Sequence, residues 1–464
     1  MGQTVSKKKI FTILGLLLFC VIIILPPLIH GYVYPNIGDD VSAHLQVFDR
    51  IQQGNPDKAM ILSYRVIGYP IVWLSNLANV DLDILYLWFN YIILILIGLT
   101  IFFVFWRLIS LKAGWLALLI TLFCSQSVFF QFYYGQLYNA INLAIIFPLL
   151  LFFSVRYLTQ GRTSQLILAF VFGAIFGAFH ASGIYLPVVA GGSLFVYIVY
   201  QFIKKIPHSK RVIIFGGSMV ILPIIAFLLS MTNTGDLFNS ALHSVETAMR
   251  FPIVPYLWDI VSPTVLILVG FILLFNGSLK ANFDNIGKML LIILLCAIGI
   301  LVVVTFIPLS VDPFRQALDL STLIALLVVV LLSYVDIKKL GWLAVGIVSI
   351  VIAFGLFHNL PTWFSYNSAI SHADKEAIAY MNTLDIKQYN CSPKVAYWIY
   401  SRFTEAEFGR YSNEFIVVRN LPMTPRSDPE NYWHDGFGIK PDESYDLINT
   451  FKDNRVTIDL YRKR

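Results

Sequence analysis

The order of apolar and polar positions divides the chain into long apolar runs and short polar joints. A helix crossing the hydrocarbon core of a bilayer needs about 20 mostly apolar residues. Eleven runs approach that length, at 10–31, 84–106, 113–130, 137–155, 164–179, 183–203, 211–231, 257–275, 289–308, 316–335 and 340–357. Within 164–203 the apolar stretch is broken only by His180-Ala181-Ser182-Gly183, so it reads as one long helix or as two joined by a tight turn. Between the first two runs lies a long segment, 32–83, with two amphipathic patterns. After Gly38-Asp39-Asp40, the residues Val41, Leu45, Phe48 and Ile51 recur at helical spacing, and from Arg65 to Leu77 the residues Tyr69, Trp73 and Leu77 alternate with polar ones. Both patterns predict helices lying at a membrane interface.

Past residue 357 the pattern changes. Ser371-His372-Ala373-Asp374 resembles a capping-box start and predicts a helix to about Asp385. Val395–Tyr400, Phe415–Val418 and the alternating Arg455–Tyr461 predict strands, and Pro441 suits the first turn of a helix near 442–452. The fold expected is a polytopic helical membrane bundle of about eleven spans over 1–357, followed by a small α/β domain over 358–464.

Composition strengthens this division. The chain is 58% hydrophobic and 13% charged, with a mean hydropathy of +0.73, where a soluble fold carries roughly a quarter of its residues charged. The last 107 residues hold 27 of the 60 charges, which is a soluble composition confined to the tail. A soluble enzyme, a disordered protein, a nucleic-acid binder and a disulfide-stapled secreted module are excluded. Net charge is +6, and the basic excess belongs to the apolar part. With Lys7, Lys8 and Lys9 in the cytoplasm, alternate joints hold Arg107 and Lys112; Arg156 and Arg162; Lys204, Lys205, Lys210 and Arg211; Lys280 and Lys288; and Lys338 and Lys339. Basic joints mark the cytoplasmic side. Clusters on both sides of 164–203 require an even number of crossings between them, so that stretch is a hairpin. The first loop and the tail then lie outside the cytoplasm, as expected of a multi-pass plasma or inner membrane protein.

Candidate chemistry gathers at the outer joints. Asp39 and Asp40 open an interfacial helix; one acid suffices as an N-cap, and a second suits a general base for an acceptor hydroxyl. Both readings stand at this point. His44 lies one helical turn beyond Asp40, on the same face. The second outer turn brings Tyr134, Gln136 and Asn139, aromatic and amide groups that suit a polyol. His180 and Tyr185 occupy the hairpin turn. Arg315 opens the tenth run with Asp319 one turn later, either as a simple helix-face pair or as a guanidinium that grips phosphate oxygens bidentately. Arg65 is a weaker candidate of the same kind. No Gly-rich phosphate loop, zinc spacing or Ser/His/Asp constellation occurs, and no cofactor or metal is expected. Gly173 and Gly177 form a G-x-x-x-G explained by helix packing.

With these residues in place, the arrangement resembles the GT-C superfamily of polytopic glycosyltransferases, which includes protein O-mannosyltransferases and the lipid A aminoarabinose transferase. Gly38-Asp39-Asp40-Val41-Ser42-Ala43-His44 matches the family's acidic motif in the first outer loop, Asp39 standing at the usual catalytic aspartate. Gly135 to Pro148 is similar to the second outer turn and fourth span, His180 to Pro187 to a lysine-bearing segment, and Pro313-Phe314-Arg315 to the start of a late span. This chain has Asn139 where several members place an acid, and His180 in place of the lysine. The resemblance implies an inverting transfer of a sugar from a polyprenyl-phosphate donor to a glycan, lipid or protein acceptor. Asp39 or Asp40 would act as base; Arg315, His180 and Arg65 would face the donor phosphate; and His44, Tyr134, Gln136, Asn139 and Tyr185 would face sugar or acceptor. A surface polysaccharide polymerase or ligase and a lipid-linked sugar flippase are the alternatives.

Overall fold

The computed structural model describes residues 7–30, 39–54, 62–125, 128, 137–178, 186–204, 265, 267–268, 283–306, 313–334, 346–357, 372–392, 407–408, 414–420, 441–453 and 457–464. The runs expected at 211–231 and 257–275 fall almost wholly outside these residues. The helices are α1 (Lys7–His30), α2 (Asp39–Gln52), α3 (Leu62–Ala78), α4 (Leu82–Leu108), α5 (Leu111–Leu118), α6 (Leu137–Ile141), α7 (Phe147–Gln160), α8 (Thr163–Ala178), α9 (Leu186–Ile203), α10 (Asn285–Phe306) and α11 (Pro313–Ser333), followed by α12 (Gly346–Phe357). Among the described residues four helical stretches are long and apolar enough to cross a membrane: Lys8–Ile29, Leu82–Leu108, Tyr138–Gln160 and Asn285–Val303. Shorter apolar helices occupy the other described runs, and within 164–203 the described residues form α8 and α9, with 179–185 outside them. The outer surface of this bundle is apolar. Phe11, Leu14, Leu17, Leu18 and Val21 of α1 are all exposed, as are Ile350 and Phe357 of α12. Apolar side chains exposed in such numbers mark a surface covered by lipid or by another protein.

Local chemistry sets the helix ends. Asn79 (φ 49°) and Gly161 (φ 70°) take the left-handed conformation that terminates α3 and α7. At the start of α5, Ser110 accepts a hydrogen bond from the Ala113 amide at 3.2 Å. Long basic side chains then tie several ends together. Arg156 of α7 donates to the Arg107 carbonyl of α4 at 2.8 Å, and Lys112 of α5 to the Leu332 carbonyl of α11 at 3.2 Å. Tyr334, just past α11, donates to Asp284, just before α10, at 2.7 Å. The C-terminal ends of α4, α7 and α11 and the N-terminal ends of α5 and α10 therefore share one end of the bundle, and the charged joints meet there.

Between the ends, small residues set the helix spacing. A Cβ on Gly114 of α5 would lie 2.8 Å from the Phe102 carbonyl oxygen of α4, and one on Gly98 of α4 would overlap Phe19 of α1 and approach Leu122 to 2.8 Å. Gly173, expected to serve close packing, has only Leu150 Cδ1 near it, at 3.7 Å, an ordinary contact that a methyl group tolerates. Backbone cannot yield to a new side chain as a flexible terminus can. Gly114→Val is therefore expected to lower stability in detergent by about 1–3 kcal/mol, while Gly299→Val, whose Cβ meets nothing within 4 Å, should leave the thermal midpoint unchanged.

The tail carries α13 (His372–Met381) and strands β1 (Gln388–Ser392), β2 (Glu407–Phe408), β3 (Phe415–Asn420), β4 (Tyr445–Lys452) and β5 (Thr457–Lys463). The sheet order is β2-β1-β3-β5-β4, with β1 parallel to β2 and β3, and β5 antiparallel to β3 and β4. Ala373, Ala377 and Met381, at helical spacing, are buried, as are Tyr389, Cys391, Phe415, Val417, Ile458 and Leu460 of the strands. Two expectations change. The helix expected near 442–452 is strand β4, because the Asp442 carboxylate accepts from both the amide and the hydroxyl of Ser444 (2.8 and 2.5 Å), closing a turn that feeds a hairpin with β5. Those two hydrogen bonds also hold the Asp442 carboxyl below its ordinary range. The helix from His372 ends at Met381 rather than Asp385. Both carboxylate oxygens of its Asp374 accept from Arg419 of β3, at 2.8 Å each, and the Ala373 amide donates to Asp453 at 3.0 Å, while Ser371 of the expected capping box lies outside the described residues. The strand expected at Val395–Tyr400 lies outside the described residues.

The Arg419–Asp374 pair is fully buried. Removing one partner strands the other charge, at a cost of about 3–5 kcal/mol. Arg419→Met is expected to speed hydrogen exchange of the β3 and β5 amides at least a hundred-fold in the full-length protein. The double variant Arg419→Met/Asp374→Leu should restore protection, since an apolar pair replaces an ionic one at little cost.

Candidate functional site

Helix α2 starts at Asp39 and Asp40 and packs on α3 and α4. Its apolar stripe is buried rather than laid against lipid: Leu45, Phe48 and Ile51 are 0%, 0% and 8% exposed. Gly68 of α3 permits this, since a Cβ there would lie 2.9 Å from Ile51 and Phe48. On α3 the interfacial expectation holds better, because Tyr69, Trp73 and Leu77 are exposed while Ile67, Ile71 and Val72 face inward. A 3.6-residue period tells that one face is apolar, but not whether lipid or another helix covers it.

At the end of the bundle away from the basic joints, α2, α4, α6 and α11 bring polar side chains together. His44, 2% exposed, shares a hydrogen bond between its Nδ1 and the Tyr86 hydroxyl of α4. Its ring also meets Tyr138 of α6 edge-on, with centroids 4.2 Å apart. Next along α6, fully buried Asn139 donates through Nδ2 to Asp319 Oδ1 of α11 at 2.8 Å. Two residues beyond Asp319, the Ser321 hydroxyl lies 3.4 Å from that of Ser125. On α4, buried Asp83 and Asn90 stand one turn to either side of Tyr86, on its face.

Two π-helical turns lie close by, at Leu119–Cys124 and Asn142–Ile146. Such turns shift the register of every later side chain and favour functional sites. Within the second, Asn142 donates to the Phe176 carbonyl at the end of α8, at 3.1 Å. The side-chain oxygens of Asn90 and Asn142, and the hydroxyl of Thr121, are buried without a hydrogen-bond partner among the described residues. In apolar surroundings so many polar groups exceed what packing requires.

The expected site residues are distributed as follows. Asp39 and Asp40 are the first two residues of α2, and Arg315 is the third of α11. Arg65 sits on α3 with its side chain exposed. Tyr134, Gln136, His180 and Tyr185 lie outside the described residues. His44 and Asn139, expected to face sugar, are buried with side-chain partners. The sequence reading missed Tyr86, Tyr138, Asp83 and Asn90. Asp83, Tyr86 and Asn90, polar groups at positions i, i+3 and i+7 of an otherwise apolar run, were a legible signal for three of them. Among the described residues no three His, Cys, Asp or Glu side chains converge to hold a metal ion. Chemically, the layer offers two carboxyl groups, an imidazole and two phenols near the helix starts that bear the acid pair and Arg315. No protein-family model matches the chain, and no curated protein matches it.

Polar contacts between membrane helices are worth about 0.6 kcal/mol and reach about 1.7 kcal/mol. In a double-mutant cycle by chemical unfolding in mixed micelles, Asn139→Ala and Asp319→Ala are expected to couple within that range. Strict additivity would mean that the two side chains do not bear on each other.

Proposed function

We propose that the chain is an inverting glycosyltransferase of the GT-C kind, moving a sugar from a polyprenyl-phosphate donor to a hydroxyl on an extracytoplasmic glycan, lipid or protein. In this reading eleven helices cross the plasma or inner membrane, the basic joints face the cytoplasm, and the tail lies outside. The observation that carries it is the convergence of three distant segments at the end opposite the basic joints. The acid-bearing helix α2 meets α6 through His44 and Tyr138, and α6 meets the arginine-bearing helix α11 through Asn139 and Asp319.

The chemistry follows from the charges. Asp39, with Asp40 beside it, takes the proton of the acceptor hydroxyl. The freed oxygen attacks the anomeric carbon on the face opposite the phosphate, and the carbon–oxygen bond to polyprenyl phosphate breaks. Its electron pair and negative charge pass to the phosphate, where Arg315, with His180 and Arg65, offsets them. Tyr134, Gln136 and Tyr185 hold the sugar, backed by His44 and Asn139. A polysaccharide polymerase or ligase differs from this only in its acceptor.

A second reading, a transporter of lipid-linked sugar, draws on one observation. Asp83 and Asp319 are 4% and 0% exposed on apolar helices, where ionisable groups mark translocation paths. One experiment separates the two: purified full-length protein incubated with labelled polyprenyl-phosphate sugars and candidate acceptors. The transferase cleaves the sugar from the lipid, and Asp39→Asn lowers that rate by about 10²–10⁴-fold, with Asp40→Asn measured beside it. Intact lipid moving between leaflets without cleavage supports the transporter; full transfer by both variants removes the base.

A further inference from the structure

Two arginines at the basic end of the bundle stand apart from the rest. The Arg107 guanidinium lies over the Phe103 ring at 5.9 Å, and that of Arg156 over the Phe152 ring at 5.5 Å. Those rings are themselves neighbours, with centroids 5.9 Å apart, so α4 and α7 each hold a cation over one of two adjoining aromatic rings. Arg156 uses one N–H on the Arg107 carbonyl, which fixes the spacing. No carboxylate among the described residues pairs with either arginine. The tendency of basic residues to collect at one membrane face accounts for each arginine separately. It does not account for two of them held over neighbouring rings and linked by a hydrogen bond, an arrangement that a bound anion would stabilise.

The surroundings say which anion. Phe103 and Trp106 are 44% and 40% exposed on α4 directly beside Arg107, an apolar slope ending in an indole at helix-end depth, where tryptophan favours the headgroup region. A free inorganic ion has no use for that slope; acyl chains do. We propose that Arg107 and Arg156 form a binding site for the headgroup phosphate of an anionic phospholipid, with its chains along Phe103 and Trp106. The two guanidinium forks grip the phosphodiester oxygens, while the rings beneath keep the cations oriented. The site is independent of the transferase reading.

The test uses detergent-solubilised full-length protein and native mass spectrometry, titrated with dioleoyl phosphatidylglycerol, dioleoyl phosphatidylcholine or inorganic phosphate. Phosphatidylglycerol should be retained in preference to phosphatidylcholine, and Arg107→Gln and Arg156→Gln should each weaken it about five-fold. Arg50→Gln, on α2, should not. Arg156→Lys should also lose affinity, because an ammonium keeps the charge without the fork. If Arg156→Gln disturbs the fold by freeing the Arg107 carbonyl, Arg107→Gln still decides, since its guanidinium rests only on the Phe103 ring. Equal binding of phosphatidylcholine, undiminished phosphatidylglycerol affinity in Arg107→Gln, or inorganic phosphate binding as tightly as the lipid overturns the assignment.

Discussion

An aspartate buried between apolar helices has no water to turn to, so its partner must come from the protein. Asp319 is fully buried, and Asn139 donates to it at 2.8 Å. That requirement organises much of this end of the molecule. It draws the start of α6 onto α11. Tyr138, the residue before Asn139, then lies against His44 of α2, and His44 in turn binds Tyr86 of α4. Four helices are thus joined by a short series of polar and aromatic contacts. A purely apolar interface would let them slide by a fraction of a turn at small cost; directional hydrogen bonds do not.

The same economy of means governs the tail. The Arg419–Asp374 pair buries two charges where an apolar pair would serve stability as well. What the ion pair adds is geometry: a two-point contact fixes how α13 sits on β3. Nearby, Asp453 accepts the Ala373 amide, so the start of α13 is held by the end of β4. Sheet and helix therefore depend on each other, and neither local pattern alone would place them.

How much was legible follows from range. Apolar runs and basic joints are local and long, so the described helices and the soluble composition of the tail were readable. The direction of the α2 stripe was not, because Leu45, Phe48 and Ile51 carry the same period whether lipid or α3 covers them. Strand β4 was misread since Pro441 suits a helix start, and only pairing with β5 decides otherwise. Strand β1 was missed because Gln388-Tyr389-Asn390-Cys391-Ser392 carries polar residues between its two core side chains. In the candidate site, Asp40 and His44 were linked by spacing, but Tyr86 lies 42 residues from His44 and Asn139 lies 180 from Asp319. Spacing pairs Asp319 with Arg315, one turn away; nothing in one sequence reveals a partner on another helix.

The two ends of the bundle differ in kind, and the difference bears on function. At one end, long flexible cations reach backbone carbonyls at helix C-termini: Arg156 to Arg107, Lys112 to Leu332. These contacts favour the helix dipoles and leave charge exposed to headgroups. At the other end the described polar groups of the layer are short and buried, held mostly side chain to side chain, and include the carboxyl groups of Asp83 and Asp319. A conduit through the bundle would carry polar groups from one end to the other. Along α4, however, the buried residues beyond Tyr91, from Ile93 through Phe105, are apolar apart from Gly98. On that helix the buried polar side chains fall within its first ten residues.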